Sequence, residues 1–215
     1  MINIRHFIIG LLICASGEAK AQGTIYFIPG QGSDKRIFDS LVIDSGYQIR
    51  WLEYDTLQEQ LTMAELAMNL SASVDTTSPF ILIGVSLGGM LCVELSEILD
   101  PDKVIIISSA KSSNELPLRY RFQRYIPLYR LFPGKVILWG AKLLQPIVEP
   151  DRNRNKEVFK SMLNSKDPGY MKISVGMIVQ WDRNTAAAGI VQIHGTNDHT
   201  IPIRNVAKPD YVIQN

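Results

Sequence analysis

Ser86 sits in Gly84-Val85-Ser86-Leu87-Gly88, a G-x-S-x-G spacing that can turn a serine into a nucleophile when a strand ends at one glycine and a helix begins at the other. The residues on either side fit that geometry. Phe80-Ile81-Leu82-Ile83 is an apolar run rich in β-branched residues, the pattern of a buried strand. Behind the serine, Leu87, Leu91, Leu95, Ile98 and Leu99 recur at spacings of three and four, and Asp100-Pro101 closes the helical pattern. Close packing at a strand-to-helix turn tolerates only small side chains and pushes the serine hydroxyl outward. The unpaired N–H groups and positive dipole end of the helix would then face any oxyanion formed at that hydroxyl, which suits acyl transfer.

The elements that would carry this turn alternate along the chain. Thr24 to Ile28 predicts a strand, followed by the glycine-rich turn Pro29-Gly30-Gln31-Gly32-Ser33-Asp34, with Asp34 able to cap a short helix through Phe38 and Leu41. Tyr47 to Tyr54 predicts a second strand. Thr62-x-x-Glu65 is a capping box opening a helix with Leu61, Leu66, Ala67 and Leu70 on one face, ending near Ser73. After the strand and helix around Ser86, Lys103 to Ser108 reads as another buried strand. Four strands alternating with helices imply a parallel sheet covered on both faces.

The alternation breaks at residue 111. Three helical patterns follow: Val136 to Val148, Val158 to Leu163, and Tyr170 to Trp181 after the Asp167-Pro168-Gly169 turn. This is read as an inserted helical cap over residues 111–184. Between Lys111 and Lys142 the positive residues Lys111, Arg119, Arg121, Arg124, Arg130, Lys135 and Lys142 stand against Glu115 alone. They read first as a solvated helical face and second as a surface for anionic ligands or lipid, which would bind anionic vesicles in a salt-sensitive way. The apolar residues Trp139, Phe159 and Trp181 fit either packing within the cap or a pocket for a hydrophobic acyl group.

The sheet resumes at Gly189 to Ile193 and runs into His194-Gly195-Thr196-Asn197-Asp198-His199-Thr200-Ile201-Pro202. With the serine turn and the Gly30 turn, this segment makes the chain from Thr24 to Asn215 resemble the α/β-hydrolase superfamily, and small capped bacterial serine hydrolases within it. The resemblance implies an α/β fold with a mostly parallel sheet covered by helices and interrupted by the cap. The core would occupy residues 22–110 and 185–215. The resemblance further implies that Ser86 is the nucleophile, that Asp198 is the acid orienting a histidine, and that the backbone N–H groups of Gln31 and Leu87 form the oxyanion hole. The substrate would be a small-molecule carboxylic ester or thioester, with no metal and no cofactor.

One element of the family pattern is missing from the expected place. Members of the superfamily carry a general-base histidine after the last strand, in the chain order Ser, Asp, His. Here Tyr211 to Asn215 reads as that last strand and no histidine follows it. His194 at a strand end is expected to bond the local backbone, and His199 adjoins Asp198, a poor geometry for a nucleophile-base-acid line. The chain therefore reads as a C-terminally incomplete hydrolase of low turnover. The reading from a different class is a non-catalytic binding protein that keeps the fold and the cavity.

Composition limits the remaining classes. The 215 residues are 46% hydrophobic and 20% charged, enough for one domain with a sizeable core, and a net charge of +1 argues against nucleic acid as a partner. Arg5 and His6 precede the apolar run Phe7 to Ala15, and Ala19-Lys20-Ala21 is an A-x-A site. Residues 1–21 therefore read as a secretory signal peptide cleaved after Ala21, and the protein as secreted or periplasmic. That run is too short for a membrane span, which needs about 20 residues. Of the two cysteines, Cys14 lies in the leader, where Ile13 replaces the small residue usual before a lipidated cysteine, and Cys92 lies in the helix after Ser86. No internal disulfide is expected in the mature chain.

Overall fold

The structure is a computed structural model that describes residues 22–148, 156–185 and 188–214. The signal-peptide reading, Cys14 included, lies outside the described residues.

Among the described residues six strands form one sheet in the order β2-β1-β3-β4-β5-β6, and every neighbouring pair is parallel. The strands are β1 (Gly23–Ile28), β2 (Tyr47–Trp51), β3 (Phe80–Val85), β4 (Lys103–Ile107), β5 (Ile190–Gly195) and β6 (Tyr211–Ile213). β2 stops three residues short of the expected Tyr54. Leu52 and Tyr54 instead turn into the core, and the Tyr54 hydroxyl donates to the Pro29 carbonyl at 2.7 Å. β5 runs two residues beyond the expected end, so His194 and Gly195 belong to the strand.

Side chains of β1 alternate between two cores, as the period of a strand requires. Tyr26 and Ile28 join Leu82, Val104 and Ile106 in the larger one, which is covered by α1 (Met63–Ser71) and α2 (Leu87–Ile98). Ile25 and Phe27 join Ile81, Ile83 and Phe38 on the other face, against the 3₁₀ turn Lys35–Phe38 and its neighbours Leu41 and Ile43. The helix expected after Asp34 is this single 3₁₀ turn, with Asp34 accepting from the Arg36 amide at its start. α1 opens on Thr62 with both halves of the capping box formed, the Glu65 amide donating to Thr62 and the Thr62 amide to the Glu65 carboxylate.

Between β4 and β5 the chain leaves the sheet and forms α3 (Leu118–Tyr125), α4 (Gly134–Val148), α5 (Lys156–Asn164) and α6 (Pro168–Gln180). α4, α5 and α6 match the three expected helical patterns. α3 has no buried residue; its apolar Leu118, Phe122 and Tyr125 recur at spacings of four and three but stand exposed. The return to the sheet is anchored by Glu94 of α2, which is buried. It accepts from the Trp181 indole at 2.7 Å and from Arg183 Nε at 2.7 Å, while Arg183 Nη1 reaches Glu97 at 3.1 Å.

Candidate functional site

Ser86 occupies the single position between β3 and α2, with φ 52° and ψ −119°. Such a backbone is costly for a residue with a Cβ and persists only when its surroundings hold it. The holding contacts are specific. The Ser86 amide donates to the Ile107 carbonyl at 3.0 Å, and the Ser86 carbonyl accepts from the Ser109 hydroxyl at 2.6 Å and from the Gly89 and Met90 amides.

The two motif glycines allow the turn by close approach. A Cβ on Gly84 would stand 2.3 Å from the Gly88 carbonyl oxygen, and one on Gly88 would stand 2.1 Å from the Ile28 carbonyl oxygen. The expectation that only the smallest residues fit around the serine is met in those distances. The Ser86 hydroxyl makes no hydrogen bond among the described residues and opens into a cavity of about 540 Å³.

That cavity is built from the carboxyl ends of four strands. Gly30 to Ser33 follow β1, Ser86 follows β3, Ser108 follows β4, and Asn197 to Thr200 follow β5. Strand order reverses beside β1, which has β2 on one flank and β3 on the other, and parallel sheets form their binding crevices at such a point. The roof comes from the helices between β4 and β5: Tyr120 of α3, Ile137 and Leu144 of α4, Leu163 of α5, and Met171 and Val175 of α6. This lining is mostly apolar.

Ser86, Gln31 and Asp198 are thus brought to one cavity. The Gly30 turn lies against the serine, since a Cβ on Gly30 would be 3.2 Å from Ser86 Cβ. The Leu87 side chain is fully buried in the core, and its amide is the first of α2. Neither the Gln31 nor the Leu87 amide bonds a backbone carbonyl among the described residues. The Gln31 side chain donates to the Ser174 hydroxyl of α6 at 2.7 Å, which ties the turn to the roof. Beneath this turn Tyr54 and Tyr170 pack with ring centroids 6.2 Å apart, and burial pushes both phenols well above their usual range, so they stay neutral. Lys166 pairs with Asp55 beside them.

Asp198 is held by its own turn. One carboxylate oxygen accepts from the Thr200 and Ile201 amides, both at 2.8 Å, and the other lies 3.4 Å from His194 Nε2. His194 is completely buried, and its Nε2 is 2.7 Å from the Ile201 carbonyl oxygen, the local backbone bond expected of it. His199 is exposed and lines the cavity, yet no hydrogen bond joins it to Asp198 or Ser86 among the described residues.

The aromatic residues singled out from the sequence are not the lining. Trp181 and Phe159 are buried away from the Ser86 cavity, and Trp139 is 65% exposed. The residues that do line it come from helices far apart in the chain. Their only local signal is helical spacing, as in Ile137 and Ala141 or Met171 and Val175. A second cavity of about 740 Å³ lies between α3 and the end of α6, bordered by Phe122, Trp181 and Asn184, and it shares Arg119 with the first.

The fold has many solved counterparts at low sequence identity. The chain is similar to a lipase-esterase related protein from Clostridium acetobutylicum ATCC 824, with 15% identity and a TM-score of 0.59 over 92% of this chain and 87% of that one. It is also similar to the enol-lactonase from Burkholderia xenovorans LB400, with 14% identity and a TM-score of 0.64 over 93% and 84%. MGS-M2, an alpha/beta hydrolase enzyme from a Medee basin deep-sea metagenome library, matches with 10% identity and a TM-score of 0.63 over 90% and 81%. This chain has the α/β-hydrolase fold. No protein-family model matches it, and a search of the curated proteins finds no match either. Within an α/β-hydrolase fold, the ends of β1, β3 and β5 are where Gln31, Ser86 and Asp198 stand here.

Proposed function

We propose that the protein is a serine hydrolase acting on a carboxylic ester or thioester through an acyl-enzyme on Ser86. The observation that carries this reading is the Ser86 hydroxyl, unpartnered among the described residues, held in a strained turn at the mouth of α2 and open to an apolar cavity. In the forward step Ser86 Oγ attacks the carbonyl carbon and gives up its proton. The amides of Leu87 and Gln31 hold the oxyanion, the alcohol or thiol departs with a proton, and water then releases the acid. Lipase-esterase, thioesterase and lactonase names among the structural counterparts support a hydrolase of small acyl substrates.

The proton acceptor is the weak part of the machinery. His194 is walled into the strand end, and among the described residues no hydrogen bond joins His199 to the acid beside it. A serine without a base retains oxyanion stabilisation and binding, worth about 10³ to 10⁴ over water in triad-deleted enzymes. The leader-like pattern of residues 1–21 supports an exported, periplasmic or secreted enzyme.

The test is labelling with an alkyl fluorophosphonate, followed by assay on short p-nitrophenyl esters. A single adduct on Ser86 that disappears in Ser86→Ala is the expected result. Turnover should rise when a glycine-rich turn and a histidine are appended after Asn215. No adduct and no gain from the appended histidine would reject the assignment in favour of a binding protein with the same cavity.

A further inference from the structure

The exposed surfaces of α3, of α4 and of the 3₁₀ turn Leu128–Leu131 between them are unlike those of helices facing water. Leu118, Phe122, Tyr125, Leu131, Trp139 and Leu143 are all more than half exposed. On α4, Val136, Trp139 and Leu143 fall on one stripe at spacings of three and four, while Ile137, Leu138 and Ala141 on the opposite side pack against the core or line the Ser86 cavity. The helix is therefore apolar on both faces. An exposed apolar surface of this extent marks an interaction site.

Charge decides what the site would meet. From Leu118 to Gln145 there is no acidic residue, and Arg119, Arg121, Arg124, Arg130, Lys135 and Lys142 are all exposed. A symmetric pairing of two copies through these surfaces would set six cations against six. An anionic bilayer surface offers the complement to both features, phosphate groups for the cations and an acyl boundary for the aromatic and aliphatic side chains.

We propose that the exposed apolar and basic residues of α3 and α4 dock the protein onto membranes containing anionic lipid. No described helix is long and apolar enough to cross a membrane, so the helices would lie along the interface rather than span it. Trp139 and Tyr125 are suited to the headgroup level, where an amphipathic ring has both an apolar and a wet neighbour. Docking would also bring the reactive cavity to the lipid. Leu144 is half exposed and lines that cavity, and Arg119 borders it while donating to the His199 and Thr200 carbonyls.

The experiment is co-sedimentation of the protein with vesicles of phosphatidylcholine alone and of phosphatidylcholine with phosphatidylglycerol, read together with tryptophan emission. Binding is expected to the anionic vesicles only, and to weaken about tenfold when salt rises from about 0.1 M to about 0.5 M. Arg121→Glu combined with Arg124→Glu should reduce it by about tenfold or more, and Trp139→Ala by several-fold with loss of the blue shift. Circular dichroism should show each variant folded. If one is not, Lys135→Glu with Lys142→Glu provides the charge test on a different helix. Ser86→Ala should bind as the parent does, which separates docking from the chemistry proposed above. Equal binding to neutral vesicles, no binding at all, or undiminished binding by the folded charge variants would overturn the proposal. Dimerisation in light scattering without vesicle binding would also overturn it and assign these surfaces to a second copy.

Discussion

His194 and Asp198 meet at 3.4 Å, Nε2 to carboxylate, inside the turn that follows β5. Because Nε2 also lies 2.7 Å from the Ile201 carbonyl oxygen, it faces two acceptors and must carry the proton. The imidazole and carboxylate therefore lock the turn that presents Asp198. His194→Leu would fill the space but leave the Ile201 carbonyl without this donor, and should cost about 2 to 3 kcal/mol in urea unfolding. Asp198→Ala should cost a similar amount by freeing two amides. The double variant should lose less than the sum, because the pair shares one turn.

Gly88 supports a sharper expectation. An added methyl would collide with the backbone of β1, which cannot swing away as a side chain could. Gly88→Ala should destabilise the protein by about 2 to 4 kcal/mol or prevent folding. Loss of Ser86 labelling should accompany it, since α2 must shift to admit the methyl. A variant with full stability and full labelling would contradict the geometry.

Glu94 joins the helix behind Ser86 to the segment that returns to the sheet. Glu94→Ala leaves the buried Trp181 indole N–H and the Arg183 guanidinium without their main acceptor and should cost about 2 to 4 kcal/mol in denaturant unfolding. Glu94→Gln should cost less, because an amide oxygen can still accept from the indole. Equal losses for the two substitutions would argue that the charge, rather than the indole bond, holds this corner.

Asp34 gives the stability a defined dependence on acid. Its carboxylate takes both Arg36 Nε and Nη2, and this pairing holds its pKa below the usual carboxylate value. A carboxylate that ionises more readily in the folded state stabilises the fold above the unfolded pKa of about 3.9, and that contribution disappears as pH falls through the lower folded value. The difference in unfolding midpoint between the parent and Asp34→Asn should be constant near neutrality and shrink below about pH 4. A difference unchanged in acid would mean the pair contributes nothing through its charge.

Much of the site was legible because its demands are local. Ser86 between two glycines, the apolar run before it and the helical spacing after it are consecutive residues under one steric constraint. The capping box at Thr62 and Glu65 is a contact between residues three apart. What escaped the sequence depends on distant partners. Gln31 reaches Ser174 across 143 positions, and Glu94 meets Trp181 across 87. α3 does carry a helical spacing, Leu118, Phe122 and Tyr125, but that stripe is exposed, and of the apolar residues of α3 only Tyr120 lines the Ser86 cavity. Trp139 fitted either cap packing or an acyl pocket for a related reason: hydrophobicity shows that a side chain avoids water, but not which surface it will be given.

β6 is the edge strand of the described sheet and runs parallel to β5, with Ile213 level with Gly195. Its exit is therefore on the same rim as the β3 exit at Ser86, three strand spacings away, or about 14 Å. A purification tag fused at that end would begin its path on this rim. A run of six histidines there could bring imidazoles to the serine and lend the preparation an activity belonging to the tag. The opposite end of β1, at Gly23, opens on the far edge of the sheet, and a handle placed there leaves the catalytic measurement to the protein itself.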